Sequence, residues 1–153
     1  MRLWIDTEAV NSAGRVVRAT IKEQTENINQ QVLFRGVRAV NALRNAELKV
    51  LKGQRSGKKR YRKYPYKSRY TPSAPGEPPA RRTGNLRLHW NGQVKTKSTA
   101  KKGISVIAEL ESQEKYASFL ENGTSNMAPR PFMDRIKEEA VPEIRKIYSE
   151  PFK

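Results

Sequence analysis

A run of alternating cations and tyrosines has the most recognisable chemistry in the sequence. The members that could contact a partner are Lys58, Lys59, Arg60, Tyr61, Arg62, Lys63, Tyr64, Tyr66, Lys67, Arg69 and Tyr70. Cations at this density can neutralise phosphates, and each ring can stack on a base with a gain of ~1 to 3 kcal/mol. Tyrosine and arginine are also common anchors of protein–protein interfaces. The run therefore predicts a segment that binds DNA or an acidic protein, and composition leaves both partners open.

Residues that could catalyse a reaction or bind a metal are scarce. The chain has no cysteine, and its one histidine, His89, is predicted to face solvent on a strand beside Trp90. A nucleophile needs a base within hydrogen-bonding reach, and no acid stands at a recognisable spacing from this histidine. The adjacent carboxylates Glu138 and Glu139 are typical of an exposed helix face. We therefore expect a protein that is not an enzyme and has no cofactor and no metal site.

The charge balance indicates what kind of partner the chain has. Lys and Arg number 31 against 15 Asp and Glu, which gives a formal net charge of +16 over 153 residues. This charge repels other copies of the chain and attracts polyanions, so we expect an acidic partner. The length suits one domain over residues 1–153. Because no long apolar run and no signal-peptide pattern occurs, we expect no membrane contact and synthesis in a cytoplasm-like compartment.

Apolar residues at helical spacing predict one long helix over residues 7–51, which Gly14 or Gly36 could break. The apolar face would consist of Val17, Ile21, Ile28, Val32, Val40 and Leu43. The opposite face would carry Arg15, Lys22, Glu26, Arg35, Arg38 and Asn45. A helix with one apolar face should lie across another element of the fold.

The next segment, residues 52–82, is called the arm below. It is rich in cations, prolines and glycines and has few aliphatic side chains. We expect it to form no core. Its second half, residues 70–80, should be extended, because each proline restricts its own backbone and that of the preceding residue.

Strand signals follow the arm and predict a three-stranded antiparallel meander. In the first strand Leu86, Leu88 and Trp90 alternate with polar residues, and Asn91-Gly92 is a strong hairpin signal. Residues 93–99 would form the second strand, followed by a turn at residues 100–103. The third strand would turn one apolar side to the core through Ile104, Val106, Ala108 and Leu110.

Two further helices are predicted after the sheet. The shorter one has Ser112 as its N-cap and stops at Gly123. Its inward residues would be Tyr116, Phe119 and Leu120. The last helix begins near Pro131, and Pro142 should bend or interrupt it. We expect an α+β fold in which the helices pack on one face of the meander.

Three motifs in a fixed order resemble a known protein family. They are Pro75-Gly76-Glu77-Pro78-Pro79-Ala80-Arg81-Arg82-Thr83-Gly84-Asn85-Leu86-Arg87, then Tyr116-Ala117-Ser118-Phe119-Leu120-Glu121-Asn122-Gly123-Thr124, and then Pro129-Arg130-Pro131-Phe132-Met133. The sequence is similar here to the tail-completion or head–tail joining family of long-tailed bacteriophages, which are minor components of the neck and tail. In that family a proline- and glycine-containing segment precedes Thr-Gly-x-Leu-Arg. A helix that begins with Tyr-Ala and ends in Glu-x-Gly-Thr follows, and Pro-x-Pro-Phe precedes the last helix.

The resemblance implies a structural role in the virion and no reaction. It implies a homo-oligomeric ring, expected to be hexameric, at the neck or the top of the tail, after assembly in the host cytoplasm. Its neighbours would be the connector and a tail-tube or tail-terminator protein, and the arm could also contact DNA in the channel. The alternative is a free-standing basic nucleic-acid-binding module.

The motif residues themselves are interpreted as scaffold. They are Thr83, Gly84, Leu86, Arg87, Tyr116, Glu121, Gly123, Thr124, Pro131 and Phe132. The glycines suit turns that need positive backbone angles, and the aromatic residues suit the core. Glu121 and Thr124 could cap or tie the loop at residues 124–130.

Overall fold

The structure is a computed structural model that describes residues 7–61, 69–81, 83–99 and 103–152. Its elements in chain order are α1 (Thr7–Lys52), β1 (Arg60–Tyr61), β2 (Arg69–Tyr70), α2 (Asn85–Leu88), β3 (Trp90–Thr99), β4 (Gly103–Ser112), α3 (Ala117–Asn122) and α4 (Met133–Ser149). The predicted α+β class is confirmed, with a long N-terminal helix, an antiparallel sheet, a short helix and a C-terminal helix.

Helix α1 organises the fold. It runs for 46 residues, about 70 Å at ~1.5 Å per residue, and is continuous through both Gly14 and Gly36. Its C-terminal half packs on β3, β4 and α4, and it buries small residues there, among them Ala39, Ala42 and Ala46. The predicted apolar face is therefore correct for this half alone. In the N-terminal half Val17, Ile21 and Ile28 are exposed.

Strands β3 and β4 form an antiparallel ladder from Trp90 opposite Ser112 to Thr99 opposite Gly103. The predicted hairpin at Asn91-Gly92 is wrong, because both residues lie inside β3. Glycine is required at position 92 because α1 packs closely there: a β-carbon would lie 2.5 Å from Cγ1 of Val40 on α1. The two strands join through residues 100–102, so the turn predicted at residues 100–103 falls mostly outside the described residues.

The first strand of the predicted meander is also wrong, since Asn85–Leu88 form the short helix α2. Gly84 has a φ of 101° and its carbonyl accepts hydrogen bonds from the amides of Arg87 and Leu88, so the chain turns into a helical conformation. Glycine reaches this left-handed region without a steric penalty. The sheet beside α1 therefore has two strands among the described residues, β3 and β4.

The alternation predicted for the last strand agrees with the packing. A β-carbon at Gly36 of α1 would lie 2.5 Å from Cγ1 of Val106 and 3.1 Å from Cγ1 of Val94, so the two valines face the helix. Ser105 and Ile107, on the other side of β4, are exposed. One face of the sheet thus covers α1.

The main core lies between the end of α1 and helix α4. Phe132 is 1% exposed and meets the Trp90 ring edge-to-face, with centroids 6.2 Å apart. The buried core residues are Ala46, Leu51, Phe132, Ile136 and Ala140. Helix α4 starts just after the predicted Pro131 and continues through Pro142, so that proline does not interrupt it. Helix α4 packs on α1, whereas the prediction placed both helices on the sheet.

The predicted side-chain direction is wrong for three residues. Arg35, assigned to the polar face of α1, is buried and donates to the carbonyls of Glu150 and Pro151 at 2.6 and 3.0 Å. Its guanidinium also lies 3.9 Å from the centre of the Phe152 ring. Phe119 in α3 is 59% exposed and Tyr116, the residue before α3, is 40% exposed, although both were expected to point inward. The remaining inward prediction, Leu120, does pack against the core.

Candidate functional site

The base of the arm is an ordered antiparallel ribbon. The amide of Gly57 donates to the carbonyl of Pro72 at 3.0 Å, and beyond it Arg60 pairs with Tyr70 and Tyr61 with Arg69. A β-carbon at Gly57 would collide with the Pro72 carbonyl oxygen, so this approach requires glycine. Five predicted contact residues lie outside the described residues: Arg62, Lys63, Tyr64, Tyr66 and Lys67.

A single carboxylate organises the return of the arm. Glu77 accepts hydrogen bonds from the amide and hydroxyl of Ser56 and from the amide of Ala74. These bonds stabilise the ionised form and lower the pKa of Glu77 to about 2. Arg55 donates to the carbonyls of Pro79 and Val50, which joins the arm to the end of α1.

The proline-rich half of the arm packs on the body, although none of its described residues belongs to the hydrophobic core. Ser73 is buried, as are Pro78 and Pro79. The hydroxyl of Ser73 accepts a hydrogen bond from Arg130, in the loop before α4. The amide of Gly76 donates to the carbonyl of Pro129 at 3.1 Å. These contacts hold the two sides of a concave surface together.

That surface is a groove of about 1080 Å³ between the arm and the body, called the basic groove below. Its lining includes the cations Lys58, Arg60, Arg81, Arg87 and Arg130. Its apolar and aromatic members include Leu51, Tyr70, Pro72, Leu86, Tyr116, Leu120 and Met127. None of the described residues that line the groove is acidic.

The two sets of residues predicted from the sequence meet in this groove. Lys58, Arg60 and Tyr70 of the arm line it, while Lys59 and Arg69 are exposed outside its lining. The motif contributes Thr83, Gly84, Leu86, Arg87 and Tyr116. Thr83 accepts a hydrogen bond from the amide of Asn85 at 3.4 Å. Half of the motif residues thus border a surface, in addition to the scaffold role predicted for them.

The other motif residues lie at the junction between α3 and α4. Glu121 accepts from the amides of Phe132 and Met133 at 2.9 and 3.3 Å, which caps the start of α4 just after Pro131. Gly123 ends α3 with a φ of 78°. Thr124 pairs with Met127 through two backbone hydrogen bonds that close the following loop.

Two arginines of the groove are partly desolvated. Arg87 and Arg130 are half-buried, and among the described residues the Nε atom of each is buried without a hydrogen-bond partner. A buried donor without an acceptor costs about 1 to 3 kcal/mol. Both residues line the groove and are only half-buried, so an acceptor that enters the groove can approach them.

A buried acid lies close to one of these arginines. Glu47 on α1 has a side chain that is 0% exposed and forms an ion pair with Arg44. Burial raises the pKa of Glu47 to about 7, against the opposing attraction of Arg44 and Arg87. Burial thus disfavours the ionised form of Glu47 and counteracts its attraction to Arg44 and Arg87.

The histidine predicted to face solvent is exposed, but it follows α2 and does not lie on a strand. Its Nδ1 atom lies 2.5 Å from a carboxylate oxygen of Glu114, which also hydrogen-bonds Tyr116. Among the described residues, no group of three histidine, aspartate or glutamate side chains could hold a metal. In the same part of the chain every helix is too short or too polar to cross a membrane.

The lining residues of the groove that were missing from the predicted site include Arg81, Met127 and Arg130. Arg81 and Arg130 lie inside the quoted motifs, but nothing local to them shows that the arm folds back on the body.

We compared the chain with protein-family models, curated proteins and solved structures, and none of them matches. The groove is therefore interpreted from its own chemistry.

Proposed function

We propose that this chain is a structural virion protein of a long-tailed bacteriophage, located at the neck between head connector and tail. Copies would form a ring, expected to be hexameric, that joins the two parts. The motifs over residues 75–147 support this proposal through their order and spacing. Their contacts are also of a structural kind, since Glu121 caps a helix and Gly123 ends one.

The observation that carries the proposal is the exposed N-terminal half of α1. Val16, Val17, Ile21 and Ile28 are each between 44% and 65% exposed on this half. A lone helix in water gains little without tertiary packing, and exposed apolar positions in a row mark an interaction surface. A neighbouring copy or ring protein that covers these residues would supply the missing packing.

The charge of the chain bears on how the ring assembles. Copies that each carry +16 repel one another, so heterologous ring contacts should form on an acidic template. We expect the purified protein to be monomeric in dilute buffer and to associate as salt rises or when an acidic neighbour is added. Sizing across ionic strengths measures this, and stable rings of the protein alone at low salt would contradict the template.

Electron microscopy of particles made without this protein tests the location. We expect filled heads and complete tails that remain separate, and wild-type protein supplied in trans should join them. A chain with Ile21→Gln and Ile28→Gln should fold, because both positions are exposed, yet should fail to join the parts. Thr20→Gln, also exposed on α1, is the matched control. Joined particles in the absence of the protein would refute the proposal.

A second candidate function is nucleic-acid binding, favoured by the absence of acids among the described lining of the basic groove. Binding to random duplex or single-stranded DNA can be measured against salt concentration. For a nucleic-acid-binding module the log of the affinity should fall with log salt by about 0.7 to 0.9 per phosphate contact. Sub-micromolar affinity at physiological salt, lost when the cations at positions 58–63 are neutralised, would favour the module over the joining protein.

A further inference from the structure

We infer that the basic groove binds an extended acidic peptide segment of a neighbouring protein, with glutamate or aspartate side chains alternating with apolar ones. This inference rests on the proposed function for the identity of the neighbour, but the binding chemistry follows from the groove itself. The described residues at the base of the arm line the groove together with residues of the body.

Charge complementarity selects an anionic partner. Five cations and no acid stand among the described residues that line the groove. Among these cations, Lys58, Arg60 and Arg81 are exposed, whereas Arg87 and Arg130 are half-buried and each has a buried Nε–H without an acceptor among the described residues. Desolvated guanidinium groups favour planar, bidentate acceptors, and a carboxylate has that geometry.

The apolar part of the lining distinguishes a peptide from a nucleic acid. Leu86, Leu120 and Met127 are half-buried and line the same groove as the cations, where aliphatic side chains of a peptide can cover them. A nucleic acid backbone presents phosphate and sugar to such a wall and relies on exposed rings for stacking. Of the two tyrosines in the described lining, Tyr70 is half-buried, so only part of its ring is accessible to a base. Arginine clusters that read acidic motifs are a recurrent mode of peptide recognition.

Fluorescence anisotropy of the full chain with a labelled peptide of alternating glutamate and leucine tests the inference at physiological salt. We expect saturable binding that weakens at least about tenfold when glutamine replaces glutamate in the peptide. A glutamate–serine peptide should also bind more weakly, because the apolar contacts are lost. An oligothymidylate of equal length should compete poorly.

Variants of the groove are paired with controls of equal chemistry elsewhere. Arg81→Gln should weaken binding about tenfold, while Arg18→Gln, exposed on α1, should change it less than about twofold. Met127→Gln should weaken binding severalfold, while Met133→Gln, at the exposed start of α4, should not. Circular dichroism of each variant checks that the fold is retained.

Equal losses of peptide affinity in Arg81→Gln and Arg18→Gln would overturn the inference, because binding would then depend on the net charge of the chain and not on the groove. It would also be overturned if the oligothymidylate displaced the peptide at lower concentration, or if the glutamate–serine peptide bound as tightly. Binding is measured on the isolated chain, so it is independent of the particle experiment. Joined particles in the absence of the protein, with peptide binding intact, would refute the neck role and leave the groove standing.

Discussion

The close approach of α1 to the sheet gives a sharp test of the fold through two glycines in one helix. A β-carbon at Gly36 would lie 2.5 Å from Cγ1 of Val106 and 3.1 Å from Cγ1 of Val94, whereas one at Gly14 would have no neighbour within 4 Å. Carbon atoms pack best at ~3.5 to 4.0 Å. Gly36→Ala must therefore push α1 and the strands apart by about 1 Å, and Gly14→Ala must displace nothing.

The expected free-energy changes follow from two opposing terms. Alanine in a helix interior is more favourable than glycine by about 1 kcal/mol, and this gain applies at both positions. At Gly36 it is opposed by overpacking, which costs ~1 to 3 kcal/mol. The β-branched valines have few rotamers to relax into. Gly14→Ala should thus stabilise by up to ~1 kcal/mol, and Gly36→Ala should be less stable than Gly14→Ala by ~1 to 3 kcal/mol.

Urea unfolding followed by far-UV circular dichroism measures both variants against the wild type at one ionic strength. Adding Val106→Ala to Gly36→Ala should recover part of the loss, because the smaller side chain makes room for the new methyl group. Equal midpoints for Gly14→Ala and Gly36→Ala would refute the packing of α1 on the sheet. So would a further loss, without recovery, in the double variant.

Three other changes test separate contacts. Burial raises the pKa of Glu47 to about 7 from 4.5, so its contribution to stability is complete below pH 4.5 and is lost as pH rises through about 7. The free energy of unfolding of the wild type should fall by about 3 kcal/mol between pH 5 and pH 8, and Glu47→Gln should remove most of this fall. Urea unfolding at the two pH values measures it, and the same fall in variant and wild type would contradict the burial of Glu47. Glu121→Ala should lower the free energy of unfolding by about 1 kcal/mol through the lost cap of α4, while the exposed control Glu138→Ala should leave it nearly unchanged. Gly57→Ala should speed hydrogen exchange at residue 57 by breaking its bond to Pro72, and normal protection there would argue against the ribbon.

Helices α1 and α4 and the end of α3 could be predicted from the sequence because their signals are local. The start of α3 was predicted wrongly, since Ser112, expected to be its N-cap, is the last residue of β4 and α3 begins at Ala117. The spacing of apolar residues indicated α1 and α4, and Gly123 does end α3 with a positive φ. The side-chain alternation predicted for β4 agrees with the structure, since Val106 faces α1. In each case the residues that determine the conformation are neighbours along the chain.

Signals with two physical meanings led to wrong predictions. Asn91-Gly92 is typical of a hairpin, yet Gly92 is small because Val40 of α1 lies against it. Leu86 and Leu88 alternate like a strand, yet the positive φ of Gly84 turns the chain into α2. Arg35 was assigned to solvent, but its guanidinium satisfies carbonyls at the C-terminus of the chain. The sequence does not indicate which distant residue a glycine or an arginine contacts in the folded protein.

The candidate site likewise has features that the sequence alone determines and features that depend on the fold. The sequence by itself determined the charge of +16, the cluster of cations and tyrosines in the arm, and the residue types of the motifs. Only the tertiary structure decided that Glu77 and Arg55 fold the arm back, so that Arg81, Arg87 and Arg130 share one groove. Composition sets how strongly a chain attracts anions, because charge adds up without regard to geometry. Where that attraction becomes a binding surface depends on contacts between residues far apart in sequence, such as Ser73 with Arg130.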